Sequence, residues 1–273
     1  MQHCGSGEWG RSGRRRRRSA EEMHEHSFGD VASMTYTWLL FDADGTLFDY
    51  DRAEATALEQ AFAEVGTAFE PACLSTYREI NARIWREFED GQITAERLRL
   101  RRFELLFEAL RQPLAPAAFS TIYLRHLARA SHLIEGAREI VPALRAKYRL
   151  ALITNGLRDV QRPRLAGSAI GDCFAEVIIS EEVGVAKPDP VIFDAAFQLL
   201  GRPPRAKVLL IGDSLSSDIA GGRDYGLDTC WYNPTGTERP ADATSTYEIH
   251  HLNDSPDCCR SQVDAGRTGY RFR

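Results

Sequence analysis

The sequence predicts an α/β fold: a doubly wound parallel sheet interrupted by an inserted block of helices. Three observations carry this expectation. Short apolar runs of the kind buried on both faces recur at Trp38-Leu39-Leu40-Phe41, Tyr148–Ile153 and Lys207–Ile211. From Gly136 onwards such runs alternate with helical patterns, the signature of parallel pairing with helices on both faces. Between the first run and that alternation, residues 51–133 read as helical and carry no strand pattern.

The first run ends in Asp42-Ala43-Asp44-Gly45. On extended backbone, residues two apart point to the same side, so Asp42 and Asp44 start from a shared direction. Gly45 supplies the turn that can swing the second one away. Two carboxylates at the end of a buried strand repel each other unless a cation lies between them or one holds a proton. In open α/β sheets that end of the strand is also where ligands bind.

In the helical block, Asp51 is the expected cap of a helix running to about Val65, with Ala55, Leu58, Phe62 and Val65 as its apolar stripe and Gly66 as its stop. Three further amphipathic segments follow at Ala72–Phe88, Thr94–Leu110 and Pro116–Ala130, broken by Asp90-Gly91 and Gln112-Pro113. Their aromatics, Trp85, Phe88, Phe103, Phe107, Phe119 and Tyr123, recur at the spacing of a helical core.

The alternating half begins with a helix at Ala137–Lys147 and the strand that ends in Thr154-Asn155-Gly156. A helix from Arg158 to Ala166 and a strand near Ala175–Ile179 come next. Lys187-Pro188-Asp189-Pro190 then opens a helix through Leu200, proline being tolerated in a first turn. The strand at Lys207–Ile211 ends in Gly212-Asp213-Ser214, Ser217 or Asp218 starts a helix, and Thr229-Cys230-Trp231 and Ser245–His250 read as the last strands. The expected organisation is a disordered leader at 1–33 upstream of a start at Met34, a core at 34–50 and 134–250, a helical cap at 51–133, and an irregular tail at 251–273. His250 and His251 read as surface residues.

Composition narrows the function classes. The chain has 273 residues, 43% hydrophobic and 27% charged, with a net charge of -5. These values are those of a globular protein and give no reason to expect nucleic-acid binding by the chain as a whole. The run Arg14–Arg18 is a candidate nucleic-acid patch, but Glu21, Glu22 and Glu25 beside it nearly cancel its charge. No apolar run approaches the roughly 20 residues that span a bilayer. The six cysteines form no CxxC pair and read as reduced thiols of a cytoplasmic protein, neither a disulfide frame nor a zinc site.

Three strands thus end in polar signatures, Asp42-Ala43-Asp44-Gly45-Thr46, Thr154-Asn155-Gly156 and Gly212-Asp213-Ser214-Leu215-Ser216-Ser217-Asp218, and Val185-Ala186-Lys187-Pro188 places a lysine before a helix. In this order and spacing the chain resembles the haloacid dehalogenase superfamily over roughly Tyr36–Glu248. The resemblance implies a Rossmann-like core with a mobile cap. It makes Asp42 the nucleophile and Asp44 the acid that protonates the leaving oxygen and then activates water. It implies that Thr154 and Asn155 bind the transferred phosphoryl group, that Lys187 offsets its charge, that Asp42, Asp44 and Asp213 hold Mg²⁺, and that Asp218 supports them from behind. A dianionic ester approaching bare carboxylates needs such neutralisation, so the chemistry is consistent with the resemblance.

Members resembling dehalogenases lack the second aspartate, so Asp44 favours a phosphatase or phosphomutase. The run Ile179–Pro188, with Phe41–Asp44 and Cys230–Pro234, is most similar to the pyrimidine 5'-nucleotidase branch. That implies hydrolysis of nucleoside monophosphates such as dUMP, UMP or dTMP. A phosphatase for phosphoglycolate or a sugar phosphate, or a related mutase, is the alternative within the superfamily, and a nucleic-acid-binding protein using the arginine run is the remote one. Gly45 stands where some members of that branch carry glutamate. Trp85, Phe88 and Tyr123 are candidates for stacking on a base, with core packing as their default use.

Overall fold

The computed structural model describes residues 36–241 and 243–254. The leader with Arg14–Arg18, the cysteines Cys4, Cys258 and Cys259, and most of the tail expected to be irregular lie outside the described residues. Six strands form one sheet in the order β3-β2-β1-β4-β5-β6. They are β1 (Trp38–Phe41), β2 (Arg149–Thr154), β3 (Glu176–Ile179), β4 (Val208–Gly212), β5 (Asp228–Tyr232) and β6 (Tyr247–Ile249). Every pairing is parallel, with Phe41 level with Leu152 on one side and Ile211 on the other.

Alternation along each strand sorts the side chains onto two faces. Leu39, Phe41, Leu150, Leu152, Leu209 and Ile211 pack under α5 (Ala137–Arg145) and Leu165 of α6 (Arg158–Ala166). Trp38, Leu40, Ala151, Ile153, Val208 and Leu210 pack on the opposite face under α8 (Pro190–Leu199). Both faces are covered, which is why these strands are apolar throughout rather than alternating with polar residues. The short helices α7 (Ser180–Val183) and α9 (Gly221–Tyr225) complete the alternation.

The inserted block forms α1 (Tyr50–Glu64), α2 (Pro71–Glu89), α3 (Ala95–Leu110) and α4 (Pro116–Leu127) around its own core, which includes Phe62, Tyr77, Phe103 and Phe119. The aromatics expected at helical spacing are largely core residues. Phe103 and Phe119 meet edge-on with ring centroids 5.1 Å apart. Trp85 and Phe88 sit at its margin, only partly buried. The two connections that carry the chain out of the core and back run side by side: Asp49 N–H donates to the His132 carbonyl (2.9 Å) and Ile134 N–H to that of Leu47 (3.0 Å).

Two helix starts differ from expectation. α1 begins earlier than Asp51 because the Asp49 carboxylate accepts the Arg52 N–H and caps the helix itself. After β4 the chain first makes a wide turn at Leu215–Ala220, capped by Ser214, which accepts from the Ser217 N–H; neither Ser217 nor Asp218 is the cap. Asp218 therefore lies inside that turn, fully buried. Its side chain is free to serve the site.

Candidate active site

β1, β2 and β4 are neighbours, so their carboxyl ends deliver Asp42, Thr154 and Asp213 to one crevice. At its centre is Lys187, carried in by the loop before α8 and only 1% exposed. Its ammonium donates to Asp42 Oδ1 (2.6 Å), Asp218 Oδ1 (2.6 Å) and the Ile153 carbonyl (2.9 Å). Three acceptors saturate the three donors of an ammonium, so this cation is held as a fixed point. The adjacent carboxylates raise the Lys187 pKa above its ordinary value against the opposing effect of burial. It stays charged.

Asp42 is buried, and only one of its oxygens is used: Oδ2 has no hydrogen-bond partner. Burial pushes its pKa up well above the usual carboxylate range, Lys187 pulls it down, and Asp218 and Asp213 push it up again. Asp213 is raised to about 7, by burial first and by Asp218 next. Its Oδ1 accepts from Thr46 (3.2 Å), and Trp231 Nε1 donates to its backbone carbonyl (2.9 Å). Asp218 Oδ2 accepts the Ser214 N–H (3.1 Å).

One oxygen each from Asp42, Asp213 and Asp218 falls within 4.8 Å of the others, a grouping able to hold a metal ion. This cluster includes Asp218, expected behind the site, and leaves out the carboxylate of Asp44. Gly45 explains the divergence of Asp44 from Asp42. With φ at +85° it turns the backbone sharply, and a Cβ there would lie 2.4 Å from Asp213 Oδ2. Only glycine combines that angle with that approach.

Asp44 turns instead towards α6. Its Oδ1 pairs with the Arg164 guanidinium, and its Oδ2 accepts from Gln161 Nε2 (2.7 Å). Gln161 Nε2 also donates to the Thr154 hydroxyl (3.1 Å), and Arg164 donates to Gln161 Oε1 (2.7 Å). Thr154 is thereby placed at the mouth of β2. Asn155 exchanges two hydrogen bonds with the Lys187 backbone (2.7 and 2.9 Å) and donates to Glu89 at the end of α2 (2.8 Å).

Gln161, Arg164 and Glu89 were absent from the expected set. A signal for the first two exists. They lie three apart on the buried stripe of α6, beside Val160 and Leu165, where apolar residues are the rule. Glu89 carries no such mark, being one of several acidic residues near a helix end. A groove of about 650 Å³ lined by residues that include Arg99, Ser120, Arg125 and Asp159 contains no member of the carboxylate cluster.

The comparisons agree with this geometry. Residues 36–226 match the family model of the haloacid dehalogenase-like hydrolases. The chain belongs to that family. It is 35% identical over 221 residues to the pyrimidine 5'-nucleotidase YjjG of Escherichia coli, covering 81% of this chain and 96% of that one. It is 36% identical to the pyrimidine 5'-nucleotidase PynA of Streptococcus pneumoniae, covering 84% and 98%. The magnesium-bound crystal structure of the HAD-hydrolase YfnB of Bacillus subtilis superposes with a TM-score of 0.74 at 34% identity, covering 81% of this chain and 97% of that one. This haloacid dehalogenase-like chain is therefore a phosphoric monoester hydrolase with a Rossmann-like core. Among the described residues, no helix is long and apolar enough to cross a membrane.

Proposed function

We propose that this enzyme is a cytoplasmic, Mg²⁺-dependent phosphatase of nucleoside 5'-monophosphates, with pyrimidine nucleotides such as dUMP, UMP and dTMP as preferred substrates. The observation that carries the chemistry is the lone unpaired oxygen of Asp42, held beside Lys187 at the mouth of the central strand. The similarity to two pyrimidine 5'-nucleotidases over most of their length supports the substrate class. The described cysteines Cys73, Cys173 and Cys230 are buried and form no disulfide, which suits a reducing compartment.

In this reading Asp42 Oδ2 attacks phosphorus, the P–O bond to the nucleoside breaks, and an aspartyl-phosphate forms. Asp44 gives its proton to the departing 5'-oxygen, then takes one from the water that hydrolyses the intermediate, so that phosphate leaves and Asp42 is restored. For this Asp44 has to leave Arg164 and Gln161 and face the reacting oxygens. Thr154 and Asn155 receive the phosphoryl oxygens, and the Asn155 amide exchanges Glu89 for substrate. Lys187 favours the ionised nucleophile against the effect of burial and offsets the phosphoryl charge.

The residues present fit a magnesium ion. The donors of Asp42, Asp213 and Asp218 are hard oxygens, and their shared negative charge is only partly offset by Lys187. The Asp44 carboxylate would reach that set only on leaving Arg164 and Gln161 of α6. When bound, the ion supplies the charge neutralisation that lets a dianionic ester approach the carboxylates. α1–α4 act as the cap over this site. The YfnB structure is described as revealing interdomain movement, and the paired connections at Leu47–Asp49 and His132–Ile134 are the corresponding pivot here.

The test is phosphate release from a panel of nucleoside monophosphates, phosphoglycolate and sugar phosphates, with Mg²⁺ and with EDTA. Release from pyrimidine monophosphates that EDTA abolishes is the expected result. Release confined to phosphoglycolate or sugar phosphates overturns the nucleotide reading and keeps the chemistry.

A further inference from the structure

Gln161 lies in the first turn of α6, on its buried stripe with Val160 and Leu165, and is only 4% exposed. A side-chain amide has two N–H donors and a carbonyl acceptor, and burying them is costly unless they are used. Here all three are used. Nε2 donates to Asp44 Oδ2 (2.7 Å) and to the Thr154 hydroxyl (3.1 Å), and Oε1 accepts from Arg164 (2.7 Å).

These partners leave the amide one orientation. A guanidinium can only donate, so the atom that faces Arg164 is the oxygen. An ionised carboxylate can only accept, so the atom that faces Asp44 is the nitrogen. The reversed amide would set oxygen against carboxylate and N–H against guanidinium, losing both bonds. Gly156 leaves the room this needs: a Cβ there would fall 2.6 Å from Gln161 Nε2.

The orientation of the amide decides what Thr154 can do. A hydroxyl carries one proton and two acceptor positions. Gln161 fills an acceptor position, and among the described residues this is the one hydrogen bond the Thr154 hydroxyl makes. Its proton therefore remains available at the mouth of β2, in the crevice that holds Asp42. An acceptor in place of the Gln161 N–H would draw that proton towards α6 and leave only lone pairs facing a dianion.

We infer that Gln161 is a positioning residue that holds the Thr154 hydroxyl as a donor to the phosphoryl oxygens. The inference rests on the reading of Thr154 as a phosphoryl ligand and adds the device that fixes its proton. It also gives Arg164 a second use. When Asp44 leaves α6 to act, the amide loses one of the two contacts that orient it. Arg164, whose side chain is fully buried, keeps the other. The N–H still faces Thr154 throughout the reaction.

The test measures inhibition of p-nitrophenyl phosphate hydrolysis by inorganic phosphate, with Mg²⁺ present, and the thermal melting of each variant. No nucleotide is used, so the result is independent of the substrate class. Gln161→Glu keeps the shape and puts an acceptor where the donor was. The inhibition constant rises by about 10- to 100-fold, as for loss of a hydrogen bond to a charged group. In a Thr154→Val background the same substitution raises it far less, since no hydroxyl is left to turn. Repulsion by the new charge is present in both backgrounds and cancels in the comparison. Gln161→Met removes the donor without adding an acceptor, so the rise is only about threefold, and it too disappears in the Thr154→Val background. This variant reads the site even if Gln161→Glu does not fold. Equal rises in the two backgrounds, or a larger rise for Gln161→Met than for Gln161→Glu, overturn the inference. An inhibition constant unchanged by Thr154→Val alone refutes instead the reading of Thr154 as a phosphoryl ligand.

Discussion

Arg164 lies beneath Asp44 and pairs with its carboxylate from a fully buried position, while the Asp44 side chain remains 23% exposed. The guanidinium also covers the ring of Phe48, 4.8 Å from its centroid. The partner of the proposed proton donor is thus a fixed element of α6, and the mobile part of the pair is Asp44.

This asymmetry gives the first prediction. Arg164→Met removes the pairing that Asp44 has to leave before it acts, so kcat on nucleoside monophosphates rises by up to about 10-fold. p-Nitrophenyl phosphate, whose leaving group needs little protonation, changes much less. Steady-state kinetics on both substrates checks this; a fall in kcat on nucleoside monophosphates alone would show that Arg164 instead orients Asp44 for proton transfer.

Asp42→Asn removes the nucleophile and keeps its shape. Turnover falls by about three orders of magnitude or more, while circular dichroism and the melting transition show a folded protein. Substantial phosphatase activity in this variant would remove Asp42 from the role of nucleophile.

Lys187→Met separates stability from catalysis. It leaves Asp42 and Asp218 buried without their shared cation, which costs about 3–5 kcal/mol. Adding Asp218→Asn removes one of the two stranded charges and recovers part of the melting temperature, but not the activity. Denaturant unfolding of the single and double variants measures the recovery.

Crowding of carboxylates predicts how the enzyme responds to metal. Asp213 is raised to about 7 because burial and Asp218 both oppose its charge. Mg²⁺ relieves that repulsion and raises the melting temperature of the intact enzyme above its value in EDTA. Asp213→Asn, measured in EDTA, is more stable than the intact enzyme by about 1 kcal/mol, and added Mg²⁺ no longer shifts it. A Mg²⁺ shift retained in this variant would exclude Asp213 as a ligand.

Much of this arrangement was legible in the chain. Both faces of β1, β2 and β4 are buried, so their apolar runs stand out, and each run breaks abruptly into the polar residues that line the crevice. The aromatic spacing of α1–α4 marked a separate helical core. Glycine at position 45 was visible, but its need was not, since that depends on Asp213 approaching from β4. Helix starts were legible only to within a turn, because Asp49 and Asp51 are equally good caps by residue type and the bridge of Phe48 to Leu133 selects the earlier one.

The sequence by itself determined the sheet, the inserted helices and the residue types at the ends of three strands, because periodicity and turn chemistry are local properties. Only the tertiary structure decided which carboxylates meet. Asp218 joins Asp42 and Asp213 because a wide turn after β4 folds it back to Lys187, and Asp44 leaves them because Arg164 and Gln161 offer it a buried cation and an amide. Such choices depend on distances between residues 31 to 145 positions apart, and no local pattern encodes them.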